Sequence, residues 1–365
     1  MNDVPKIDRL DLAIYRVPTD EPESDGTLTW DHTDVVVVHV AAGGSTGLGW
    51  TFAAPAAASM ISGILRDKIL GQSALAIEGA WATMNHSLRN VGLPGAGSMA
   101  VAAVDIALWD LKAKLLGTSL VDLFGAVRSA APIYGSGGFT SYTLRRLSEQ
   151  LGGWAAEGIG RVKMKVGREP EADLRRVGAA RDAIGADIKL FVDANGAYSR
   201  KQALALAERF AEDFQVSWFE EPRPSNDVAG LRLLRDRGPA GMDIAAGEYG
   251  DTPAYFRRLL DAGALDCLQA DATRCGGYTG FLKVAALCEA YEMPLSAHCA
   301  PQLHAHVACA VSCLRHVEYF HDHNRIARML FDGSLDPRNG ALSPDTSRPG
   351  HGMTLKTADA EPYRI

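Results

Sequence analysis

Four short runs between Arg161 and Glu248 constrain this chain more than any other feature: RVKMKV, KLFVDANG, SWFEEP and DIAAGE. Each reads as a buried β-strand whose Val, Ile, Phe or Trp residues give way at the C-terminal end to Lys, Asp or Glu. In a parallel barrel the C-terminal strand ends converge on one mouth. Lys163, Lys165, Asp193, Glu220 and Glu248 are therefore predicted to meet, although 85 positions separate the first from the last. A charged ring in that place points to an active site.

The surrounding pattern supports a barrel. From Pro132 onward, strand-like runs at 132–139, 161–166, 188–193, 217–220, 243–247, 266–270, 294–297 and 316–319 alternate with amphipathic helical stretches such as RKQALALAERFAED. This span is shorter than the roughly 250 residues of a full eightfold unit, so the last helix is expected to be missing or minimal. Upstream, residues 6–17 and 34–42 read as strands joined by a polar, flexible loop, PTDEPESDGTLTWDHT, and GGSTGLGWTF turns into a further strand. Helical patterns follow from Pro55 to about Gly125, which together imply a separate α+β domain. Trp30, Trp50 and Phe52 are placed on its loops, as covers for a neighbouring site or as partly buried anchors. The Gly/Pro-rich tail, DPRNGALSPDTSRPGHG, is expected to return to this first domain.

Composition excludes some partners. The 365 residues carry a net charge of −7 and no Lys/Arg-rich run, which argues against nucleic acid or an anionic membrane, so an anionic substrate must be attracted locally. The N-terminus lacks a secretory pattern and the longest apolar run, VVVVHVAA, is too short to span a bilayer, so a cytoplasmic location is expected. Six cysteines without CxxC spacing read as free, mostly buried thiols, with Cys309 and Cys313 one helical turn apart in a core stripe.

Asp193, Glu220 and Glu248 are spaced by 27 and 28 positions, about one βα unit each. Any one of them alone reads more readily as a helix N-cap or a solvated loop residue than as a ligand. In register, three carboxylates need a cation, and oxygen-only donors suit Mg²⁺, whereas zinc would want His or Cys. Lys163 and Lys165 share one strand face with Met164 on the other. Facing inward, like charge and burial would both lower a lysine pKa and make a usable base. Asp271 follows the sixth strand and His298 the seventh, 27 positions on, so a hydrogen-bonded dyad is predicted. Glu318 ends the eighth strand.

In this order the segments resemble the mandelate racemase subgroup of the enolase superfamily along nearly the whole chain. AVDIALWDLKAKLLG is similar to the family's last capping-domain helix and KMK to its lysine pair. DANG, WFEEP and AGE are similar to its metal-ligand segments, and DATRCGG and SAH to its Asp–His dyad. The resemblance implies an α/β fold. A modified TIM barrel, (β/α)7β, would span 129–325, with an N-terminal α+β capping domain over 1–128 that a C-terminal segment, 326–365, completes. It implies one Mg²⁺ per subunit on Asp193, Glu220 (rather than Glu221) and Glu248. Lys165 would be the α-proton base, Lys163 would hold the substrate carboxylate, and His298 with Asp271 would form the opposite-face acid/base. Glu318 would lie near the substrate carboxylate and Asn195 would contact the ligands or the substrate. Arg274, where some relatives carry Lys, is left without a role.

The chemistry so implied is abstraction of the proton next to a carboxylate, giving an ene-diolate stabilised by the cation and Lys163. Dehydration of a sugar acid to a 2-keto-3-deoxy acid is the expected outcome, with racemisation or epimerisation of a 2-hydroxy acid as the alternative. A muconate-cycloisomerase-like or dipeptide-epimerase-like enzyme would place Lys at position 271. A barrel hydrolase would use several His ligands, but His304/His306 and His321/His323 read as loop or helix residues away from the trio. A non-catalytic binding protein that kept the fold would have let the ring decay. The expected partner is a small sugar acid and the expected assembly a homo-oligomer. Specificity is expected from residues 18–34 and 43–55 closing over the mouth; the acids of the first segment would favour a neutral polyhydroxy tail over a diacid.

Overall fold

An antiparallel meander opens the structure, a computed structural model that describes residues 4–365. Its strands are β1 (Arg9–Ser24), β2 (Thr29–Ala42) and β3 (Ser45–Thr51). The flexible loop expected between the first two strands is instead the outer half of a β-hairpin, in which Glu23 pairs with Trp30 and Ser24 with Thr29 beyond a bulge after Pro18. Local chemistry explains it: the Asp25 carboxylate accepts from the Thr27 and Leu28 backbone N–H groups at 2.6 and 2.7 Å and closes the turn. Trp30 and Trp50 consequently lie on strands, not loops; only Phe52 follows one.

Helices α1 (Pro55–Met60), α2 (Arg66–Ile69), α3 (Ile77–Ser87), α4 (Ala96–Leu115) and α5 (Leu120–Phe124) follow. Small residues let α4 lie directly on β3. A Cβ on Gly47 or Gly49 would fall 2.0 Å from the Ala107 carbonyl oxygen or 2.3 Å from that of Ala103, so these positions exclude any side chain.

Eight parallel strands then form a closed barrel: β4 (Ala131–Gly137), β5 (Arg161–Lys165), β6 (Lys189–Asp193), β7 (Val216–Glu220), β8 (Asp243–Ala246), β9 (Cys267–Ala270), β10 (Leu295–Ala297) and β11 (Leu314–Phe320), with β11 pairing back onto β4. The helices after them are α6 (Leu144–Ala156), α7 (Pro170–Ile184), α8 (Arg200–Phe214), α9 (Val228–Arg237), α10 (Pro253–Asp261), α11 (Gly277–Ala290), α12 (Pro301–Ala308) and α13 (His321–Leu330). The last helix is neither missing nor minimal, since with 10 residues it is longer than α10 and α12. Period-two alternation sorts each strand's side chains. Tyr134, Phe191, Trp218, Ala245 and Cys267 cluster inside the barrel, while Met164, Val192 and Phe219 join the core beneath the helices. Two residues after Phe191 and Trp218 come Asp193 and Glu220, which therefore also point inward.

His321–His323 begins directly at the end of β11, which corrects the expectation that this triplet lies away from the strand ends. The strand runs one residue further than the apolar pattern suggested. His304 and His306 are buried within α12, as a helix position implies. All six cysteines are free, but Cys313 lies beyond α12 and not on one face with Cys309. Among the described residues, no helix is long and apolar enough to cross a membrane.

The tail makes hydrogen bonds to β1 and α4. After β12 (Phe331–Asp332), β13 (Ala341–Leu342) adds antiparallel to β4, β14 (Thr354–Leu355) pairs with β12, and α14 (Thr357–Ala360) precedes the last residues. Ile365 donates its N–H to the Ile14 carbonyl at 3.0 Å. Asp110 of α4 is the buried knot: it accepts from the backbone N–H groups of Leu48 at 2.8 Å and His351 at 2.9 Å and pairs with Lys114 at 2.6 Å. Asp110→Ala leaves those donors without an acceptor, and a loss of about 3 kcal/mol or more in unfolding free energy is expected from urea denaturation. A shift no larger than that of an average surface mutant would remove Asp110 from this role.

Candidate active site

Lys165, Asn195, Glu248, His298 and Glu318 line a cavity of about 380 Å³ at the C-terminal mouth of the barrel, roofed by Trp30 and Phe52 from the first domain. One carboxylate oxygen from each of Asp193, Glu220 and Glu248 lies within 4.8 Å of the others. Lys165 Nζ sits 2.5 Å from Asp193 Oδ2. Lys163 does not share the mouth. It is fully buried beneath it, paired with Glu220, with Glu318 at 2.8 Å and with Asp193 at 3.4 Å. Both lysines point inward and both Nζ atoms reach Asp193 Oδ2, with Lys163, two residues earlier along β5, the more deeply buried.

Charge inside this ring is unbalanced. Burial and the Lys163 ammonium press the Lys165 pKa down, yet Asp193, Glu248 and Glu220 outweigh them and hold it above the ordinary lysine value. The expected lowering is thus reversed, because carboxylates surround both amines. Burial and Asp193 together hold the Glu220 carboxyl well above the usual range, despite Lys163. Asp193 itself, against the effect of burial, is drawn down to about 2 by Lys165 and Lys163. Glu248 Oε2 is buried without a hydrogen-bond partner. An oxygen-only trio with an orphaned acceptor and a carboxyl pushed up by its neighbours fits a hard divalent cation. The next acid, Glu221, is buried too, but it stands outside the trio.

Across the mouth, His298 Nδ1 lies 2.9 Å from Asp271 Oδ2. Asp271 is fully buried and its other oxygen accepts from the Thr273 N–H and hydroxyl, both at 2.7 Å. A carboxylate so held keeps the proton on Nδ1 and leaves Nε2 facing the cavity. Burial raises the Asp271 carboxyl, but the hydrogen bond from His298 and the charges of His298, His304 and Arg274 take it far below the usual range. Arg274, left without a role by the sequence, reaches Glu248 Oε1 at 3.5 Å and Asp271 at 3.7 Å, with its guanidinium over the Tyr249 ring. Glu318 is fixed by Ser136 Oγ at 2.6 Å and the Cys299 N–H at 2.9 Å.

Backbone strain collects at the same strand ends. Asn195, Glu221, Cys299 and Ala300, none of them glycine, have φ of 43°, 36°, 51° and 39°. Such conformations cost of order 1–3 kcal/mol each and persist only where the surroundings impose them. Asn195 uses its turn to donate its N–H to Asp193 Oδ1 at 2.9 Å, while its own Oδ1 is buried without a partner.

The hairpin of β1 and β2 is pinned over the mouth by Asp20 to His321 at 2.9 Å, Thr33 to Asp322 at 2.5 Å and Ser24 to Thr140 at 2.6 Å. Its acids are consumed in doing so. Asp20 and Glu21 engage His321 and Arg146, Glu23 accepts from Trp30 and Asp31 meets His32, while Asp25 closes its own turn. Asp25 and Asp34 still border the cavity, the one closing its turn and the other paired with Arg16 at 2.8 Å. Sequence reasoning also passed over His323, which lines the cavity with its ring stacked on Phe52, centroids 3.5 Å apart. Its Nδ1 accepts from the Ala300 N–H at 3.3 Å and burial lowers its pKa to about 3, so it is a neutral imidazole carrying its proton on Nε2. The available signal was an HDH run immediately after the eighth strand.

A barrel whose mouth carries an oxygen-only trio, an inward lysine and a His–Asp dyad is an enzyme scaffold, and comparison with known proteins identifies which one. Residues 10–125 match the mandelate racemase / muconate lactonizing enzyme N-terminal domain, and residues 146–360 match the enolase C-terminal domain-like family. The chain belongs to the enolase superfamily, in the mandelate racemase subgroup, and is an enzyme of that superfamily. A 3,6-anhydro-alpha-L-galactonate cycloisomerase of Streptomyces coelicolor is 35% identical over 358 residues, covering 96% of this chain and 97% of the relative. A mandelate racemase/muconate lactonizing enzyme-like protein from Rubrobacter xylanophilus superposes with a TM-score of 0.97 at 55% identity, over 99% of this chain and 100% of that one. The L-talarate/galactarate dehydratase of Salmonella typhimurium LT2, liganded with Mg and L-lyxarohydroxamate, gives 0.92 at 27% identity, over 100% and 94%.

Proposed function

We propose that this enzyme removes the α-proton of a sugar acid and expels the β-oxygen, most simply as water, to give a 2-keto-3-deoxy acid. The observation that carries this reading is the placement of two proton-transfer groups in one cavity. Lys165 on β5 and His298 after β10 stand three strands apart one way round the barrel and five the other, with the carboxylate trio between them on the longer arc. Asp193, Glu220 and Glu248 hold one Mg²⁺ in this reading, as their oxygen-only geometry fits, and the Salmonella dehydratase structure contains Mg. Bound there, the cation supplies positive charge where the ene-diolate's charge develops.

This chain's own residues do the rest. Lys165 takes the α-proton, for which its carboxylate neighbours must first be neutralised. Lys163 adds fixed positive charge beneath the reacting carboxylate instead of lining the mouth. Asp271 holds His298 so that Nε2 delivers a proton to the departing oxygen. Glu318 and Asn195 border the substrate, with Trp30 and Phe52 above to exclude water.

A second reading is favoured by the Streptomyces cycloisomerase. If the oxygen leaving the β-carbon belongs to an ether ring, the same two proton movements open the ring without loss of water, and the enzyme is an isomerase. Asp271, which speaks against muconate-type cycloisomerisation, does not speak against this step. Return of the proton to the α-carbon would instead give an epimer. A screen of the Mg²⁺-loaded protein against mono- and diacid sugars and their anhydro forms, with keto acid trapped as a semicarbazone, decides among them. Only C2 isomers and no keto acid would end the elimination reading. Asp271→Asn is expected to lower kcat by about 10²-fold or more and to move the pH–rate limb of the dyad to lower pH, since imidazolium loses its anion. An unmoved limb would make His298 structural.

A further inference from the structure

His298 faces more than the reacting carbon. With Nδ1–H committed to Asp271, Nε2 presents its lone pair to Cys299 Sγ at 3.3 Å, Glu248 Oε2 at 3.4 Å and Glu318 Oε2 at 3.7 Å. All four side chains are buried from bulk solvent yet border the cavity. One donor atom from each of His298, Cys299 and Glu318 lies within 4.8 Å of the others, and among the described residues no other cysteine belongs to such a group. The buried Glu248 Oε2 beside them has no hydrogen-bond partner.

This donor set differs in kind from the oxygen-only trio. Imidazole, thiolate and carboxylate at a tetrahedral centre are what Zn²⁺ selects, and a hard cation gains nothing from the sulfur. Asp271 behind Nδ1 provides the carboxylate–histidine pairing that orients a metal-binding imidazole. Burial and Glu318 keep Cys299 a neutral thiol until a cation arrives.

We propose that His298 Nε2, Cys299 Sγ and Glu318 Oε2 form a second cation site in the mouth, one that takes Zn²⁺ and switches the enzyme off. Binding breaks the S–H bond of Cys299 and forms a Zn–S bond; the proton goes to solvent and nothing is oxidised or reduced. The metal then occupies Nε2, the atom from which His298 delivers its proton in the proposed reaction. The site goes beyond the reaction proposed above, since the donors assemble whichever product the enzyme makes.

The test uses the full chain saturated with Mg²⁺ and Co²⁺ as a coloured probe. A near-ultraviolet thiolate-to-cobalt charge-transfer band is expected to saturate at one Co²⁺ per chain and to be bleached by Zn²⁺. It is expected to vanish in Cys299→Ser and to persist in Cys313→Ser. Absence of the band in the unaltered protein, or its survival in Cys299→Ser, overturns the site whatever the turnover. Should Cys299→Ser fail to fold, X-ray absorption on the Zn²⁺-loaded unaltered protein decides. A sulfur scatterer at about 2.3 Å supports the site, and a coordination sphere of only oxygen and nitrogen removes it.

Discussion

Glu248→Gln is expected to lose its affinity for Mg²⁺ and to lower kcat by about 10³-fold, the scale on which removing one preorganised electrostatic partner of a developing oxyanion is felt. The loss follows from the ring's charge balance. Glu248 brings one carboxylate oxygen to within 4.8 Å of oxygens of Asp193 and Glu220 and carries a buried, unpartnered Oε2, and an amide there supplies one neutral acceptor in place of a charged pair. Dialysis against EDTA is expected to remove activity from the unaltered enzyme and added Mg²⁺ to restore it. Undiminished turnover after EDTA, or calorimetric Mg²⁺ affinity in Glu248→Gln equal to that of the unaltered protein, would rule out the trio as the metal site.

Lys165→Ala and His298→Asn are each expected to lower kcat by about 10²–10⁴-fold, but in distinguishable ways. With the true substrate in D₂O, His298→Asn is expected to retain exchange of the α-proton while keto acid formation stops, because Lys165 still reaches the α-carbon and the β-oxygen no longer receives a proton. Lys165→Ala is expected to lose both. The opposite result, exchange lost in His298→Asn and kept in Lys165→Ala, would exchange the two roles and make His298 the abstracting base.

What the sequence disclosed and what it hid divide along a physical line. The trio, the lysine pair and the Asp–His dyad are each written within a strand and its first following residues, where period two and a repeat of 27 or 28 positions fix direction and neighbours. Depth along a strand is subtler, and Lys163 was misplaced into the mouth for that reason. Pairings between distant segments were not legible at all. Asp20 meets His321 and Thr33 meets Asp322 across some 300 positions, and no local pattern in PTDEPESDGTLTWDHT announces that its acids are already engaged. His323 escaped because an apolar window ended the eighth strand one residue early, which moved the histidines out of the ring they join.

The knot at Asp110 bears on how such a chain reaches its working form. The hairpin that roofs the cavity belongs to the first 50 residues, yet the sheet behind it is tied to His351 and Ile365, and the Ile14–Ile365 contact spans 351 positions. On a ribosome the meander and α4 emerge first, and although the Leu48 N–H can already meet Asp110, the other oxygen of Asp110 and the Leu48 carbonyl wait for His351. Contacts of such long sequence separation form late, so the barrel can close before its roof is secured. Competence for chemistry is then acquired last and from the far end of the polypeptide: trimming back to the β12–β14 pair would cost activity although none of the removed residues lies in the mouth.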